Sequence, residues 1–390
     1  MAVKFTKPEV NVREKLVELD KPSGIAGEAM LRAETPQEQF NLINAGRRNL
    51  VINGDMRIAQ RGTGAFTANA SYPVDRWEMI SNTTDFTTTQ DSTVPTGQGF
   101  TKSIKIQPTG TKSPSSSTYA RIGYSIEGYD GAPLSWGTSG AKSATISFWV
   151  RSSVTGTYSI GVKNGDANRS ITLEYTIDSA DTWEYKNLTF SGVTDGTWAQ
   201  TNGRFCYIDV WLSGEGSETS TIGVWQNTNT NMSSNQVNFF TSTSNVFYIT
   251  GFQMEVGKVA TPFEHRSYGE ELALCQRYFQ RLFDVSTASG IRWQGRIGSI
   301  YSATRCFVTV DFPVEMRVTP TISYNNSFAW SMYTASSSIG PSSSINNVYP
   351  NKLSAGFDMQ PAGGSTVSGN VGNAFHADVS AGSCDASAEL

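Results

Sequence analysis

The sequence predicts an all-β protein with an N-terminal extended and helical arm, a jelly-roll β-sandwich, one amphipathic helix and a C-terminal β-sandwich domain. The chain has 390 residues, which is enough for about two or three domains of ordinary size. Charged residues make up only 16% and aromatic residues reach 11%, a balance typical of strands joined by turns. Apolar and polar residues also alternate over most of the chain with the period of two that β-strands require.

The arm comprises residues 1–48, which are charged, poor in aromatic side chains and contain short helix-forming pieces. Such a segment cannot bury a core alone, so it is either a disordered tail or an attachment arm that a partner orders. We favour the attachment arm. Its candidate docking residues are Arg13, Lys15, Phe40 and Arg47.

The jelly-roll sandwich is predicted for residues 49–266. From Ala144 to Ser152, apolar side chains occupy every second position, as in a strand with one buried face. Turn clusters such as Asn164-Gly165-Asp166 separate runs of this kind. Repeated short strands with turn signals between them indicate an antiparallel sandwich. The alternation returns in the runs 158–162, 171–177, 206–212 and 246–254.

The pattern changes at Ser267, which has capping-box spacing to Glu270. Apolar residues such as Leu272 and Cys275 then recur at helical intervals. We therefore predict one amphipathic helix over residues 268–283, within a helical connector that extends over 267–287. The helix packs either on its own sandwich or against copies of itself around a three-fold axis.

The C-terminal domain is predicted for residues 288–390, where the strand pattern resumes. Cys306, Val308 and Val310 share one face of a strand, and Pro313 ends the run. A segment rich in Ser and Asn over 336–351 and another rich in Gly over 363–372 are predicted as long surface loops.

Charge and hydropathy exclude two classes of partner. The net charge is −4 and the isoelectric point is about 5.4, so no basic surface for nucleic acid is indicated. No apolar run approaches the roughly 18 residues needed to cross a bilayer, and the N-terminus lacks the apolar core of a signal peptide. We therefore expect no nucleic-acid binding, no membrane insertion and synthesis in a cytoplasm.

The residues that most enzymes use are scarce. His265 and His376 are the only histidines, and neither lies in a metal-binding or catalytic-triad motif. The cysteines lack CxxC spacing, so buried free thiols are favoured over a disulfide or a zinc site. The sequence thus predicts a non-enzymatic protein with no catalytic residues, no metal and no cofactor. The four cysteines are Cys206, Cys275, Cys306 and Cys384.

Glycoside hydrolysis stays open, because it needs only two carboxylates at a suitable separation. Asp209 and Glu255 are the candidate acids in the strand-rich region. We expect both on a solvent-facing side or at the rim of a sheet. No internal repeat of fixed period is visible in the sequence, so the long parallel β-helix that depolymerases tend to carry is not indicated.

Aromatic side chains among small polar residues predict a binding function. Sugar rings stack on aromatic faces, and amide and hydroxyl side chains complete their recognition. Trp149 and Trp211 lie opposite the aliphatic faces of their strands. Trp136 and Trp225 stand in polar surroundings. Each such residue alternatively packs under a loop or at a subunit contact, but as a set they predict one exposed aromatic site. In the terminal domain the candidate glycan-binding residues are Trp293, Trp330, Tyr333 and Tyr349.

Two long motifs carry a family resemblance. Residues 48–77 read RNLVINGDMRIAQRGTGAFTANASYPVDRW, and residues 246–281 read VFYITGFQMEVGKVATPFEHRSYGEELALCQRYFQR. They resemble the opening and closing strands of a jelly-roll module found in phage tail-fibre and virion structural proteins, a module similar in fold to carbohydrate-binding modules. The arm, which includes KPSGIAGEAMLRAETPQEQF, is similar to the N-terminal segments of fibre-like proteins in phages of marine cyanobacteria.

The resemblance implies a bacteriophage tail fibre or fibre-like adhesin located in the virion. The arm would dock to phage tail or portal-proximal proteins, the chain would form a homotrimer, and the distal domain would bind host polysaccharide or lipopolysaccharide. The family supplies no shared catalytic residue. Two alternatives remain: a structural tail or capsid-decorating protein without a receptor role, and a polysaccharide depolymerase.

Overall fold

The computed structural model describes residues 47–114, 119–215, 218–219, 221–284, 296–302, 305–324, 329–333, 338–361, 374–381 and 383–390. Within these ranges the chain forms twenty-two β-strands and two short α-helices. The predicted all-β class is therefore confirmed.

The first thirteen strands and the first helix precede residue 257. The strands are β1 (Ser71–Val74), β2 (Trp77–Ser81), β3 (Phe86–Asp91), β4 (Ser103–Pro108), β5 (Ala120–Glu127), β6 (Ala144–Ser152), β7 (Gly156–Asn164), β8 (Ser170–Ile177), β9 (Glu184–Phe190), β10 (Arg204–Ser213), β11 (Glu218–Thr219), β12 (Met232–Ser233) and β13 (Phe247–Val256). Helix α1 (Gly128–Gly131) follows β5 and leads into a 3-10 turn at Ala132–Leu134, and a second 3-10 turn at Phe239–Thr241 precedes β13.

The second helix and nine further strands complete the chain. They are α2 (Tyr268–Gln276), β14 (Phe279–Asp284), β15 (Arg296–Ser302), β16 (Arg305–Asp311), β17 (Thr321–Tyr324), β18 (Ala329–Tyr333), β19 (Ser338–Pro350), β20 (Ser354–Pro361), β21 (Ala374–Ala381) and β22 (Ser383–Ser387).

Two antiparallel sheets form the predicted sandwich. One has the strand order β1-β2-β5-β10-β7-β8 and the other the order β3-β4-β13-β6-β9. Inward side chains alternate with outward ones along each strand, and the inner faces of the two sheets share one core. The predicted face of β6 is confirmed, because its four alternate apolar residues are fully buried. They are Ala144, Ile146, Phe148 and Val150.

Helix α2 begins where the sequence predicts it. The Ser267 side chain caps the helix by accepting a hydrogen bond from the Glu270 backbone N–H (3.3 Å). The predicted extent of 268–283 is wrong, because α2 ends at Gln276 and Phe279–Asp284 is strand β14. Strand β14 pairs with β22, near the other end of the chain. A pairing so distant in sequence leaves no signal in a local periodicity.

The apolar side of α2 packs on the chain itself. Cys275 and Tyr278 form a buried cluster with Ile52 and Ile58, in the segment that leads into the sandwich. Of the two packing arrangements that the sequence leaves open, the structure shows the one within a single chain.

The C-terminal strands form two units. A three-stranded sheet has the order β14-β22-β17, and a closed barrel has the order β15-β16-β20-β19-β18-β21. The barrel interior holds Cys306, Val308 and Phe357, each fully buried. The strands predicted for this region are therefore present, and six of them close on themselves rather than forming a second two-sheet sandwich. Closure removes the sheet edges that an open sheet would expose.

The Ser- and Asn-rich run predicted as a loop over 336–351 is mostly strand β19. Ile345 and Val348 pack against the barrel core, whereas Asn347 and Tyr349 are exposed. Small polar residues on an outer barrel wall are compatible with a strand, so composition alone concealed it. The Gly-rich run over 363–372 lies outside the described residues.

Polar contacts join the three-stranded sheet to the sandwich. Arg317 Nη1 donates a hydrogen bond to the Asn202 carbonyl oxygen (2.7 Å). Near the C-terminus, Glu389 forms ion pairs with Arg61 (3.2 Å) and Arg76. Residues that flank β17 and β22 thus fix the three-stranded sheet to the sandwich.

The arm lies almost wholly beyond the described part of the chain. Arg13, Lys15 and Phe40 lie outside the described residues, so their predicted docking role stays a prediction. Arg47 is half exposed and forms an ion pair with Glu270 in the first turn of α2 (3.1 Å). None of the described helices is long and apolar enough to cross a membrane.

Candidate functional site

An open depression of about 520 Å³ lies on the outer wall of the C-terminal barrel. Among the residues that the structure describes, four strands each contribute one lining residue: Ser299 from β15, Phe307 from β16, Asp358 from β20 and Tyr349 from β19. We refer to it as the barrel depression. Its size suits one or two rings of a small ligand.

The strand register places most of these side chains in one row. Ser299 is paired with Phe307, Phe307 with Asp358, and Asp358 with Asn347. Successive side chains of a strand point to opposite faces, so the buried neighbour Val308 points into the barrel while this row points outward. Four adjacent strands span about 14 Å, which gives the row the length of a short oligomer.

Aromatic rings line part of the depression. The Phe307 ring lies against Gly356, where an added Cβ atom would stand only 2.4 Å from Phe307 Cζ. Gly356 therefore provides the space that the ring occupies. The ring centroids of Phe307 and Tyr349 are 6.1 Å apart, with an angle of 41° between their planes. Tyr349 is 54% exposed, so its ring is open to a ligand from solution.

One ion pair adjoins the rings. Arg305 Nη1 lies 2.6 Å from Asp358 Oδ2. Arg305 stands two positions before Phe307 in β16, so both side chains are on the outer face. The Asp358 side chain is 6% exposed and the Arg305 side chain 36%. A nearly buried carboxylate is thus paired with a guanidinium that water still reaches.

Neutral polar groups complete the surroundings. Ser299, Thr309 and Asn347 are exposed on the same outer face. Hydroxyl and amide groups both donate and accept hydrogen bonds. The barrel depression therefore combines aromatic faces with hydroxyl groups and a carboxylate, and amide and guanidinium groups lie beside it.

The structure places the predicted glycan-binding residues unevenly. Tyr349 lines the barrel depression. Trp330 and Tyr333 lie in β18, the strand that pairs with β19, but their side chains are outside the described part of the structure. Trp293 lies outside the described residues altogether. Of the four predicted glycan-binding residues, the structure therefore places Tyr349 in the barrel depression, and the roles of the other three stay predictions.

Sequence reasoning missed Phe307, Arg305 and Asp358. Phe307 stands between two core residues, Cys306 and Val308, so it looks like part of an apolar run. A weak signal was present, since three consecutive apolar residues in a strand must place one side chain on the opposite face from its neighbours.

The sandwich tryptophans are less available than predicted. Trp136 is 1% exposed, and its Nε1–H donates to the Lys142 carbonyl oxygen (2.8 Å). Trp211 is 2% exposed. Both rings are therefore packed inside the chain, the alternative that the sequence leaves open for each of them, and neither belongs to an exposed aromatic site. Trp225 packs against the sandwich core. Trp149 stays half-buried on the outer face, 5.4 Å from the ring centroid of Tyr185.

The two candidate acids of the sandwich are buried, which corrects the expectation that they face solvent. Asp209 is fully buried and lies 3.0 Å from Arg121 Nε and 3.2 Å from Lys163 Nζ. Asn231 Nδ2 also donates to Asp209 Oδ2 (2.6 Å). Strand alternation had placed Asp209 on the outer face correctly, but it could not show the segment at Asn231 that covers it.

Glu255 is buried in a separate hydrogen-bonded cluster. It accepts hydrogen bonds from the Thr261 backbone N–H (2.8 Å) and hydroxyl (2.7 Å) and from Gln253 Nε2 (3.0 Å). Burial raises the pKa of the Glu255 carboxyl, and these hydrogen bonds oppose that rise. Neither sandwich acid is therefore placed to meet a polymeric substrate.

The cysteines are free and buried, as predicted. Burial raises the pKa of Cys306 to about 11 and that of Cys384 to about 12. Thiols with such pKa values are poor nucleophiles at neutral pH. Within the described ranges, no group of three or more His, Cys, Asp or Glu side chains is arranged to hold a metal ion.

Comparison with known proteins gives distant similarities. No family model matches the sequence, and no curated protein matches it. The enzymatically active domain of bacteriophage CBA120 tailspike protein 4 aligns at 16% identity over 53% of this chain and 21% of that chain, with a TM-score of 0.30. The carbohydrate-binding module TmCBM61, in complex with β-1,4-galactotriose, aligns at 10% identity over 54% of this chain and 99% of its own, also with a TM-score of 0.30.

A third similar structure is the family 11 carbohydrate-binding module of the Clostridium thermocellum cellulase Lic26A-Cel5E. It aligns at 14% identity over 53% of this chain and 99% of its own, with a TM-score of 0.26. The chain thus spans about a fifth of the tailspike structure and nearly all of the two modules. No residue of this chain takes a role from these alignments, and the barrel depression rests on the chain's own geometry.

Proposed function

We propose that this chain is a tail fibre or fibre-like adhesin of a bacteriophage particle, and that it binds host surface glycan at the barrel depression. The observation that carries the binding role is the exposed ring of Tyr349 beside Phe307, bordered by the Arg305–Asp358 pair. Sugar rings present an apolar face to aromatic rings and hydroxyl groups to polar side chains. The virion role is supported by the sequence resemblance of the arm and the jelly-roll motifs.

The proposed role is binding without cleavage. Glycoside hydrolysis ordinarily requires two carboxyl groups on either side of the scissile bond. Among the described residues that line the barrel depression, Asp358 supplies the one carboxylate, and it is engaged by Arg305. Incubation with host polysaccharide should therefore leave its chain length unchanged. Shortened products in size-exclusion chromatography would instead support the depolymerase alternative.

Alanine substitution of the aromatic residues tests the binding site. We expect Tyr349→Ala and Phe307→Ala each to cost about 2 kcal/mol of binding free energy, roughly thirtyfold in affinity for host polysaccharide. The measurement is binding of the purified chain to host cells and to their extracted polysaccharide. Tyr324→Ala is the matched control, because Tyr324 is 45% exposed but lies in β17 of the three-stranded sheet. Normal binding by both folded test variants would remove the barrel depression from consideration.

We further propose that the chain acts as a homotrimer attached by its arm to phage tail or portal-proximal proteins. Closed cyclic symmetry is the usual solution for homo-oligomers, and the sequence resemblance is to fibre proteins. The mass of the purified chain at micromolar concentration should correspond to a trimer. A strictly monomeric mass would contradict this assembly. A separate measurement, the copy number and position of the chain in a particle reconstruction, would distinguish an adhesin from a capsid-decorating protein.

A further inference from the structure

We infer that the sandwich forms an internal amide cross-link between the side chains of Lys163 and Asn231, with Asp209 as the acid–base catalyst. The inference does not depend on the proposed glycan binding, because it concerns a reaction within the chain. It starts from one shared atom. Asp209 Oδ2 lies 3.2 Å from Lys163 Nζ and accepts a hydrogen bond from Asn231 Nδ2 at 2.6 Å. The amine and the amide therefore meet at a single carboxylate oxygen.

The three side chains are shielded from water. Asp209 is fully buried, Asn231 is 2% exposed and Lys163 is 7% exposed. Water therefore cannot compete with the amine as the nucleophile. Two groups that the fold holds against the same atom also react as if each were present at a very high concentration. Such an arrangement can turn an ordinarily inert pair of side chains into a reactive one.

Strand register and one glycine bring the reacting groups together. Asp209 in β10 is paired with Gly161 in β7, and Lys163 lies two positions further along β7 on the same face. A Cβ atom at Gly161 would stand 2.2 Å from the Asn231 carbonyl oxygen and 2.6 Å from Asn231 Cβ. The missing side chain at Gly161 therefore lets Asn231 lie directly on β7, beside Lys163.

Two further contacts orient the carboxylate and the amine. Arg121 Nε lies 3.0 Å from Asp209 Oδ1, which leaves Oδ2 to the amine and the amide. Lys163 Nζ also lies 4.8 Å from the centroid of the Tyr207 ring. The reaction removes the charge of Lys163. Because Arg121 remains beside Asp209, the product does not leave that buried carboxylate without a counter-ion.

The reaction replaces one amide by another. The Lys163 ammonium gives a proton to Asp209 Oδ2, and the neutral Nζ then attacks Asn231 Cγ. A bond forms between Nζ and Cγ, and the bond between Cγ and Nδ2 breaks as Asp209 returns its proton to Nδ2. Ammonia leaves, and it takes a second proton from Nζ to become ammonium. No oxidant, reductant or cofactor is consumed, and Asp209 ends as it began.

The product would tie the segment at Asn231 to the six-stranded sheet. That segment lies on the outer face of the sheet through weaker contacts, such as the hydrogen bond from the Ser170 hydroxyl to the Thr230 carbonyl oxygen (2.7 Å). Hydrogen bonds of this kind open and close in the folded state. A covalent bond would keep the cover on Asp209 through such openings.

The first test is the intact mass of the purified full chain under denaturing conditions, which an ion pair does not alter. We expect a mass below that of the sequence by one ammonia molecule, about 17 Da. Tryptic digestion followed by tandem mass spectrometry should then yield two peptides joined at Lys163 and Asn231. Trypsin should not cleave after Lys163, because its amine has become an amide.

Substitutions assign the bond to the three side chains. Lys163→Arg keeps a cation beside Asp209 but supplies no amine, so this variant should have its full sequence mass. Asn231→Asp should still cross-link, with the loss of water, about 18 Da, in place of ammonia. A merely structural contact would show no such change of leaving group.

Asp209→Asn tests the catalyst, because asparagine cannot take up the proton from Lys163. Cross-linking should slow by at least about a hundredfold in this variant. Lys186→Arg is the matched control, since Lys186 Nζ contacts two carboxylates, those of Asp178 (3.2 Å) and Glu184 (2.6 Å). The control should keep the mass deficit of wild type.

The outcomes decide the inference even if a variant fails to fold, because the wild-type mass alone can overturn it. A full sequence mass, together with cleavage after Lys163, would exclude the cross-link. A loss of ammonia that maps to a cyclised asparagine elsewhere would exclude it as well. If Asp209→Asn cross-linked as fast as wild type, the bond would stand and the catalytic role of Asp209 would be wrong.

Discussion

The sandwich and the C-terminal barrel each place an aspartate on the outer face of a sheet, but they treat it differently. In the sandwich, Asp209 is fully buried and has Arg121, Lys163 and Asn231 as partners. In the barrel, Asp358 is paired with Arg305, whose side chain is 36% exposed, at the edge of an open depression.

The difference shows how a structural charge can be told from one available for binding. Two cations and an amide enclose Asp209, and the segment at Asn231 covers it, so a ligand cannot reach it without opening the fold. The barrel pair keeps one solvated member next to two aromatic rings. Both aspartates occur in strands with alternating patterns, and only the tertiary surroundings separate their roles.

The largest expected effect is on stability, at Asp209. Asp209→Asn leaves two partly desolvated cations without their counter-ion, and breaking a buried ion pair in this way costs about 3 kcal/mol or more. Chemical denaturation should show this loss in the free energy of unfolding. Asp195→Asn is the control, because Asp195 is 60% exposed in its ion pair with Arg169 and such surface pairs contribute about 1 kcal/mol or less. Equal stability of the two variants would mean that the Asp209 cluster is not structural.

The next effect is a pH dependence where the sandwich meets the C-terminal residues. Asp75 is buried, and desolvation raises its pKa to about 6 from the usual 3.8. The groups that face it are Gln60, which donates through its backbone N–H (3.0 Å) and its amide, Arg61 at 3.8 Å, and Glu389. The folded state therefore holds a proton that the unfolded state releases between about pH 4 and pH 6, so the contribution of Asp75 to stability falls as pH rises through that window.

Asp75→Asn measures this contribution, because asparagine cannot ionise. Relative to wild type, the variant should become more stable by about 2 kcal/mol between pH 4.5 and pH 7. The measurement is the free energy of unfolding of the variant and of wild type, obtained by chemical denaturation at the two pH values. Other titrating groups contribute equally to both proteins, so their contributions cancel in the difference between the two free energies. A difference independent of pH would show that the Asp75 carboxyl titrates alike in the folded and unfolded states.

Local pattern predicts the sandwich well because its signal is local. Alternation within β6 identifies its buried face from the residues of that strand alone. The predictions for β14 and β19 are wrong for a different reason. Strand β14, predicted as helix, is a strand because it pairs with β22, which is distant in sequence. Strand β19, predicted as a loop, has an inner face because the barrel closes around it. Their own residues resemble a helix and a loop.

The candidate site was predictable to a smaller extent. Tyr349 was identified because an aromatic residue among Ser and Asn stands out in the sequence. Phe307 and Asp358 become neighbours only through the register between β16 and β20. Non-local strand register is not encoded in any single window of sequence, so their proximity required the structure.

The smallest expected effect concerns the glycine beneath the barrel aromatic ring. Gly356→Ala introduces a Cβ atom 2.4 Å from the present position of Phe307 Cζ, so the ring must shift while its chemistry is unchanged. We expect about 1 kcal/mol or less of lost stability, because the ring faces outward and can rotate, and about fivefold weaker glycan binding. Gly269→Ala is the control, since nothing lies within 4 Å of the added atom in α2 and alanine favours a helix. If Gly356→Ala bound glycan as tightly as wild type, the position of the Phe307 ring would not matter, and the comparison would then assign stacking to Tyr349 alone.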